Sequence, residues 1–222
     1  MTTATTAQQR LHHALDALGR TARPGPAVDG CGHCYTPAQL AALSGPPDLI
    51  PDRLLHSAAA KSPAHWTDFP TLYRRLAPRL LRQLTTRTLA VDGPLIAARL
   101  VAAAWTDWHR ADLVRDVLDA WWPATLDDPA APAEEVLATL AVATGTVTPW
   151  LTTWSATRTP TADRHLTRTL DSWLHDARLP DLHLGFHREL PVGPETVAWL
   201  LAQPEDRIGP EQRYWLELSL RG

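Results

Sequence analysis

GPLIAARLVAAAWTDWHRADLVRDVLDAWW, residues 93–122, carries two successive runs of apolar residues at helical spacing. In the first, Leu95, Ile96, Leu100, Val101, Ala104, Trp105 and Trp108 fall on one stripe; in the second, Leu113, Val114, Val117, Leu118, Trp121 and Trp122 do the same. Residues three and four apart share a helix face, so each run predicts an amphipathic helix that buries one side. A half-buried strand would instead alternate apolar and polar residues, and that pattern is confined to scraps such as TGTVT at 144–148.

The same pattern continues along the chain. Thr36-Pro37, Gly93-Pro94, Thr148-Pro149, Gly193-Pro194 and Gly209-Pro210 each read as an N-cap followed by a proline at the first helical position. A missing N–H costs nothing there, because the first-turn donors have no partner within the helix. Further helices are expected at 7–19, 37–44, 51–61, 66–84, 133–144, 148–156, 161–176, 194–203 and 210–220, about eleven in all. The expected fold is all-α, one helical domain over 1–222, with a flexible N-terminal helix plus cysteine turn in 1–35 and a helical core in 36–222. Short helices on short loops favour antiparallel hairpins, in an irregular bundle or a HEAT-like α-solenoid. GPETVAWL from Gly193 and GPEQRYWL from Gly209 repeat one helix start sixteen residues apart, each predicting a tryptophan, Trp199 or Trp215, that faces inward.

Composition narrows the function classes. Of 222 residues 45% are hydrophobic, enough for a sizeable core. The net charge of −3 and the lack of any dense basic run leave no line of cations for a phosphate backbone, so nucleic acid is not an expected partner. The start, MTTATTAQQRLHHALDAL, has neither the basic head nor the apolar run of a signal peptide, and no window offers eighteen uncharged apolar residues. No membrane association is expected, and the location expected is cytoplasmic, where two cysteines stay reduced. Lys61 is the one lysine among 21 basic residues, a bias of GC-rich bacterial coding.

Both cysteines lie in DGCGHCYTP, residues 29–37. A redox C-x-x-C needs a buried strand before it and a helix that starts at the first thiol. Here the Gly- and Pro-rich RTARPGPAVDG precedes it, and the helix cap at Thr36 comes two residues after Cys34. A C-x-x-C turn does suit zinc, since two thiolates make half of a tetrahedral site. Cys31 and Cys34 are therefore the expected ligands, with His33 and His56 preferred to complete the set and His12, His13 and His65 as further candidates. Two histidines would close the site; one histidine and a water would leave it open. A reduced, metal-free pair is the alternative.

Trp66 and Asp68 open a helix on which Arg74, Arg75, Arg79 and Arg82 lie on neighbouring turns, with Lys61 just upstream. Lys61, Trp66, Asp68, Arg75 and Arg79 are the candidate ligand-binding residues, an anion pocket beside the cysteine turn for a carboxylate or phosphate. A solvated basic face is the plainer alternative. The ten tryptophans suit core packing, and WTDWHRAD at 105–112 is where an aromatic pocket would form. His183 and His187 stand four apart, but Gly185 between them predicts a loop. The phosphate-loop, dinucleotide, zinc-protease and nucleophile-elbow motifs do not occur.

CGHCYTPAQLAAL, LLHSAAAKSPAHWTDFPTLYRRLAPRLLRQL, WTDWHRADLVRDVLDAWW and LAVATGTVTPWLTTW together resemble a family of uncharacterised bacterial proteins. The resemblance spans roughly residues 31–175 and rests on Cys31, His33, Cys34, Lys61, Trp66, Asp68, Arg75, Pro78 and Arg79. It implies an all-helical fold and no activity. The sequence is thus read as a helical interaction or accessory protein with structural zinc and a protein partner. The alternative is a small-molecule enzyme or ligand-binding protein with a Trp- and Arg-lined pocket for an acidic compound.

Overall fold

The computed structural model describes residues 6–23, 25–176 and 179–219. Pro24, in the loop before the cysteines, and Leu220, the end of the last expected helix, lie outside the described residues, as do residues 1–5 of the N-terminal stretch. Among the described residues eleven α-helices follow in order: α1 (Ala7–Gly19), α2 (Pro37–Ser44), α3 (Asp52–Ala60), α4 (Phe69–Thr85), α5 (Gly93–Ala102), α6 (Ala111–Asp127), α7 (Ala133–Thr144), α8 (Thr148–Ala156), α9 (Pro160–Asp176), α10 (Gly193–Leu201) and α11 (Pro210–Ser219). The all-α class is what the apolar spacing predicts. The one sheet is a two-stranded hairpin, β1 (His183–Leu184) against β2 (Leu190–Pro191), antiparallel with His183 opposite Pro191. No helix of the described residues is long and apolar enough to cross a membrane.

The chain groups into two compact units, residues 1–121 and 122–222. In the first, α4 is the central element, packed by α1, α3, α5 and the 3-10 turn at Pro47–Leu49. Its apolar stripe of Leu72, Tyr73, Leu76, Leu80 and Leu81 is fully buried. Leu11, Leu15 and Leu18 pin α1 to it, and Arg82 reaches back to Asp16 at 2.8 Å. In the second unit α7 is buried on nearly every side, and the indoles of Trp122, Trp154 and Trp199 pack in series, edge to face at 5.3 Å and tilted at 5.6 Å. Their N–H groups end on acceptors: Trp122 on the Trp150 carbonyl, Trp154 on the Ala162 carbonyl and Trp199 on the Ser155 hydroxyl. These rings are core, as large aromatics with one donor usually are.

Three local expectations need correction. The stripe through Trp108 does not form one helix, because α5 stops at Ala102 and Ala104 takes a left-handed conformation (φ 50°). The indole N–H of Trp108 then folds back onto the Ala103 carbonyl at 2.9 Å, satisfying one of the acceptors that a helix end leaves open. Likewise α4 begins at Phe69 rather than 66: the Asp68 carboxylate caps it by accepting the Thr71 N–H, while Trp66 is extended. In the repeated helix start, Trp199 is half-buried but Trp215 is 49% exposed, since α11 turns Leu216 inward instead. The glycines differ too. A Cβ on Gly193 would sit 2.0 Å from the Pro180 carbonyl oxygen, whereas Gly209 faces open space.

A buried cation holds the second unit together. Arg207, 5% exposed, donates to Asp163 at 2.7 Å, to the Gln203 side chain at 3.0 Å, and to the Trp154 and Thr157 carbonyls at 2.9 and 3.0 Å. It thereby ties the end of α8 and the start of α9 to the turn after α10. Removing one partner of such a pair strands the rest, so Arg207→Ala is expected to destabilise this unit by about 3–5 kcal/mol in urea titrations. Arg207→Lys recovers little of this, because an ammonium cannot reach four acceptors spread around a guanidinium. A loss below roughly 1 kcal/mol, the worth of an exposed ion pair, would contradict the assignment.

Candidate metal centre

The cysteine turn is built on a short backbone seam. The Thr67 N–H donates to the Asp29 carbonyl (3.1 Å), Gly30 bridges Trp66 in antiparallel sense, and the Cys31 N–H donates to the His65 carbonyl (2.8 Å). The Thr67 hydroxyl adds a bond to the Asp29 carboxylate at 3.0 Å. Gly30 is required here: a Cβ would lie 2.7 Å from the Trp66 ring and 2.9 Å from the His65 oxygen. Beyond the seam the chain tightens, with the N–H groups of Cys34 and Tyr35 both on the Cys31 carbonyl at 3.0 and 3.1 Å. The turn ends at Thr36, whose hydroxyl and backbone form a reciprocal capping box with Gln39 that starts α2.

Opposite lies a 3-10 turn, Pro63–His65, that presents the His65 imidazole. Trp66 is buried behind it with the Tyr35 ring at 4.8 Å, and the Tyr35 hydroxyl meets the Ser57 hydroxyl at 3.2 Å. The result is one cluster. The sulfurs of Cys31 and Cys34 and a ring nitrogen of His65 all lie within 4.8 Å of one another, and Cys34 Sγ stands 3.5 Å from His65 Nδ1. Such a group could hold a metal ion. Both cysteines are free thiols and partly exposed.

The electrostatics favour thiolate. The hydrogen bond from His65, followed by the main-chain N–H groups of His33 and Cys34, pulls the Cys31 thiol down to about 6. Burial raises the Tyr35 phenol, and negative charge on the two sulfurs adds to that rise.

Among the residues expected from sequence, the structure brings Cys31 and Cys34 together with His65. His33 is exposed and supplies its main-chain N–H to the Cys31 thiol, not its imidazole. His56 is engaged elsewhere, at 2.9 Å from the Gln83 side chain, which in turn donates to Asp52. His12 and His13 are exposed on α1. His183 sits on the hairpin with its Nδ1 2.7 Å from the Asp181 carbonyl.

The five expected ligand-binding residues do not gather into one pocket at the turn. Lys61 caps the end of α3, Trp66 packs behind the seam and Asp68 caps α4. Arg75 is buried, its guanidinium spent on the Leu43 and Pro26 carbonyls at 2.6 and 2.7 Å. Arg79 donates to the Pro47 and Ile50 carbonyls and to Asp52. These two arginines thus bind α2 and the loops beside it to α4 with their terminal nitrogens.

No protein-family model matches the chain, and no solved structure gives a significant match. The likeness to a bacterial family therefore stands on its motifs alone.

In the metal-free protein, iodoacetamide should alkylate Cys31 with a pH midpoint near 6. His65→Ala should move that midpoint up toward the ordinary thiol value of about 8.5. An unshifted midpoint in the variant would show that His65 does not face the thiol.

Proposed function

We propose that Cys31, Cys34 and His65 hold a zinc ion that fastens the N-terminal segment of a helical accessory protein, which acts by binding a partner and not by catalysing a reaction. The observation that carries this reading is the convergence of three soft or borderline ligand atoms from two segments thirty-one residues apart. Tetrahedral zinc, with bonds of about 2.3 Å to sulfur and 2.0–2.1 Å to nitrogen, sets neighbouring ligand atoms roughly 3.5–3.8 Å apart. The separation of Cys34 and His65 fits that spacing. Thiolate and imidazole together select zinc over the hard cations, which prefer oxygen.

The fourth corner of the tetrahedron falls to water or to a side chain brought by the partner. An open corner is also what a catalytic zinc has, which is the second reading. One fact supports the structural role. The ligands hang from the seam that joins residues 29–31 to 65–67, so a metal there closes a loop of the chain.

The full chain, purified without chelator, should carry one zinc by elemental analysis. A ligand held a thousandfold above its Kd adds about 4 kcal/mol, so chelation or Cys34→Ser should lower Tm by roughly 10 °C for a chain this size. Stoichiometric zinc whose removal leaves Tm unchanged would contradict the structural role and favour the catalytic one. Absence of bound metal after growth with zinc would remove both.

A further inference from the structure

The cavity of about 450 Å³ lies between the segment after α1, the outer face of α4 and the turn that leads into α6. Its size is that of pockets that enclose small organic molecules. Its lining is of one sign: Arg23, Arg74, Arg75 and Arg110, with His109 beside them and Trp108 as the aromatic wall, and no carboxylate. Four guanidiniums around one space repel each other unless an anion joins them.

The protein itself neutralises little of this charge. Arg75 is 7% exposed and held by two main-chain carbonyls, so its charge is buried without a carboxylate. Arg23 donates only to the neighbouring carbonyls of Arg20 and Ala22. Arg74 is exposed and forms no ion pair among the described residues. Only Arg110 has a close counterion, Asp112, at 3.2 Å. Trp108 has spent its N–H on Ala103, which leaves the ring alone for a ligand.

We infer that this cavity binds a small organic phosphate monoester, with its dianionic head between Arg23 and Arg74, in the field of the buried Arg75 charge, and its apolar or aromatic body against Trp108. Planar guanidiniums match phosphate oxygens two at a time, and a dianion suits a group of cations better than a single carboxylate does. The inference stands whether or not Cys31, Cys34 and His65 hold a metal.

Phenyl phosphate, inorganic phosphate and benzyl alcohol are titrated calorimetrically into the full chain, and into Arg74→Gln and Arg74→Glu. Arg74 is exposed, so neither substitution threatens the fold. Phenyl phosphate should bind, inorganic phosphate at least tenfold more weakly and benzyl alcohol not at all. Loss of a charge-assisted hydrogen bond should weaken phenyl phosphate roughly tenfold or more in Arg74→Gln, and charge reversal should abolish its binding. Failure of phenyl phosphate to bind, or binding that Arg74→Glu leaves unchanged, would overturn the site. Equal affinity for inorganic phosphate would overturn the organic part of the assignment.

Discussion

The first unit depends on how closely two strands of main chain approach at Gly30 and Trp66. The bridge there, continued by the Cys31 N–H on the His65 carbonyl, fixes the height at which the cysteine turn meets the histidine. A side chain at residue 30 would push the segments apart, because the Trp66 ring and the His65 carbonyl already fill that space. From the seam follow the burial of Trp66 against Tyr35, the hydrogen bond between Tyr35 and Ser57, and the entry of the chain into α2. The ligand cluster is its chemical consequence. Two thiols and an imidazole within 4.8 Å form because the backbone is held, not because the side chains seek each other.

The arginines follow a second common rule. In a chain with one lysine, buried guanidiniums serve as fasteners between helices and loops. Arg75 collects carbonyls from the last turn of α2 and from the segment before it, Arg79 from the segment before α3, and Arg207 does the same around the turn after α10. A planar fork with five donors suits this task, because loop carbonyls otherwise lack partners once they are covered. Desolvation lowers the guanidinium pKa of both Arg75 and Arg207, which is the cost of placing charge inside. Arg207 recovers part of that cost from Asp163. Arg75 has no such partner, and it lines the cavity.

Much of the fold was legible in the sequence because helices declare themselves locally. Leu113, Val114, Val117 and Leu118 mark their own buried face, and Thr36 with Gln39 marks its own cap. Failures came where something other than apolar spacing decided the backbone. Ala104 in a left-handed conformation and the Trp108 indole on the Ala103 carbonyl end α5 within an unbroken apolar stripe. The cysteine half of the site was legible as a knuckle, from the loop before it and the cap behind it. Its third member was not, since nothing around His65 distinguishes it from His56 or His33 until Gly30 pairs with Trp66. Arginine positions could be read as charge, but most of the carbonyls that occupy Arg75 and Arg79, those of Pro26, Pro47 and Ile50, lie in segments that no periodicity locates. Arg207 gave no sign at all, set in a short EDRIG segment that reads as an exposed turn.

The central claim is that the seam delivers two sulfurs and one imidazole nitrogen to a single metal. X-ray absorption at the zinc edge of the full chain reads that ligand set directly. The expected spectrum has two sulfur scatterers at about 2.3 Å and nitrogen or oxygen scatterers at about 2.0–2.1 Å completing four, with one imidazole among them that His65→Ala removes. A coordination sphere with fewer than two sulfurs, or an imidazole signal that persists in His65→Ala, would contradict it.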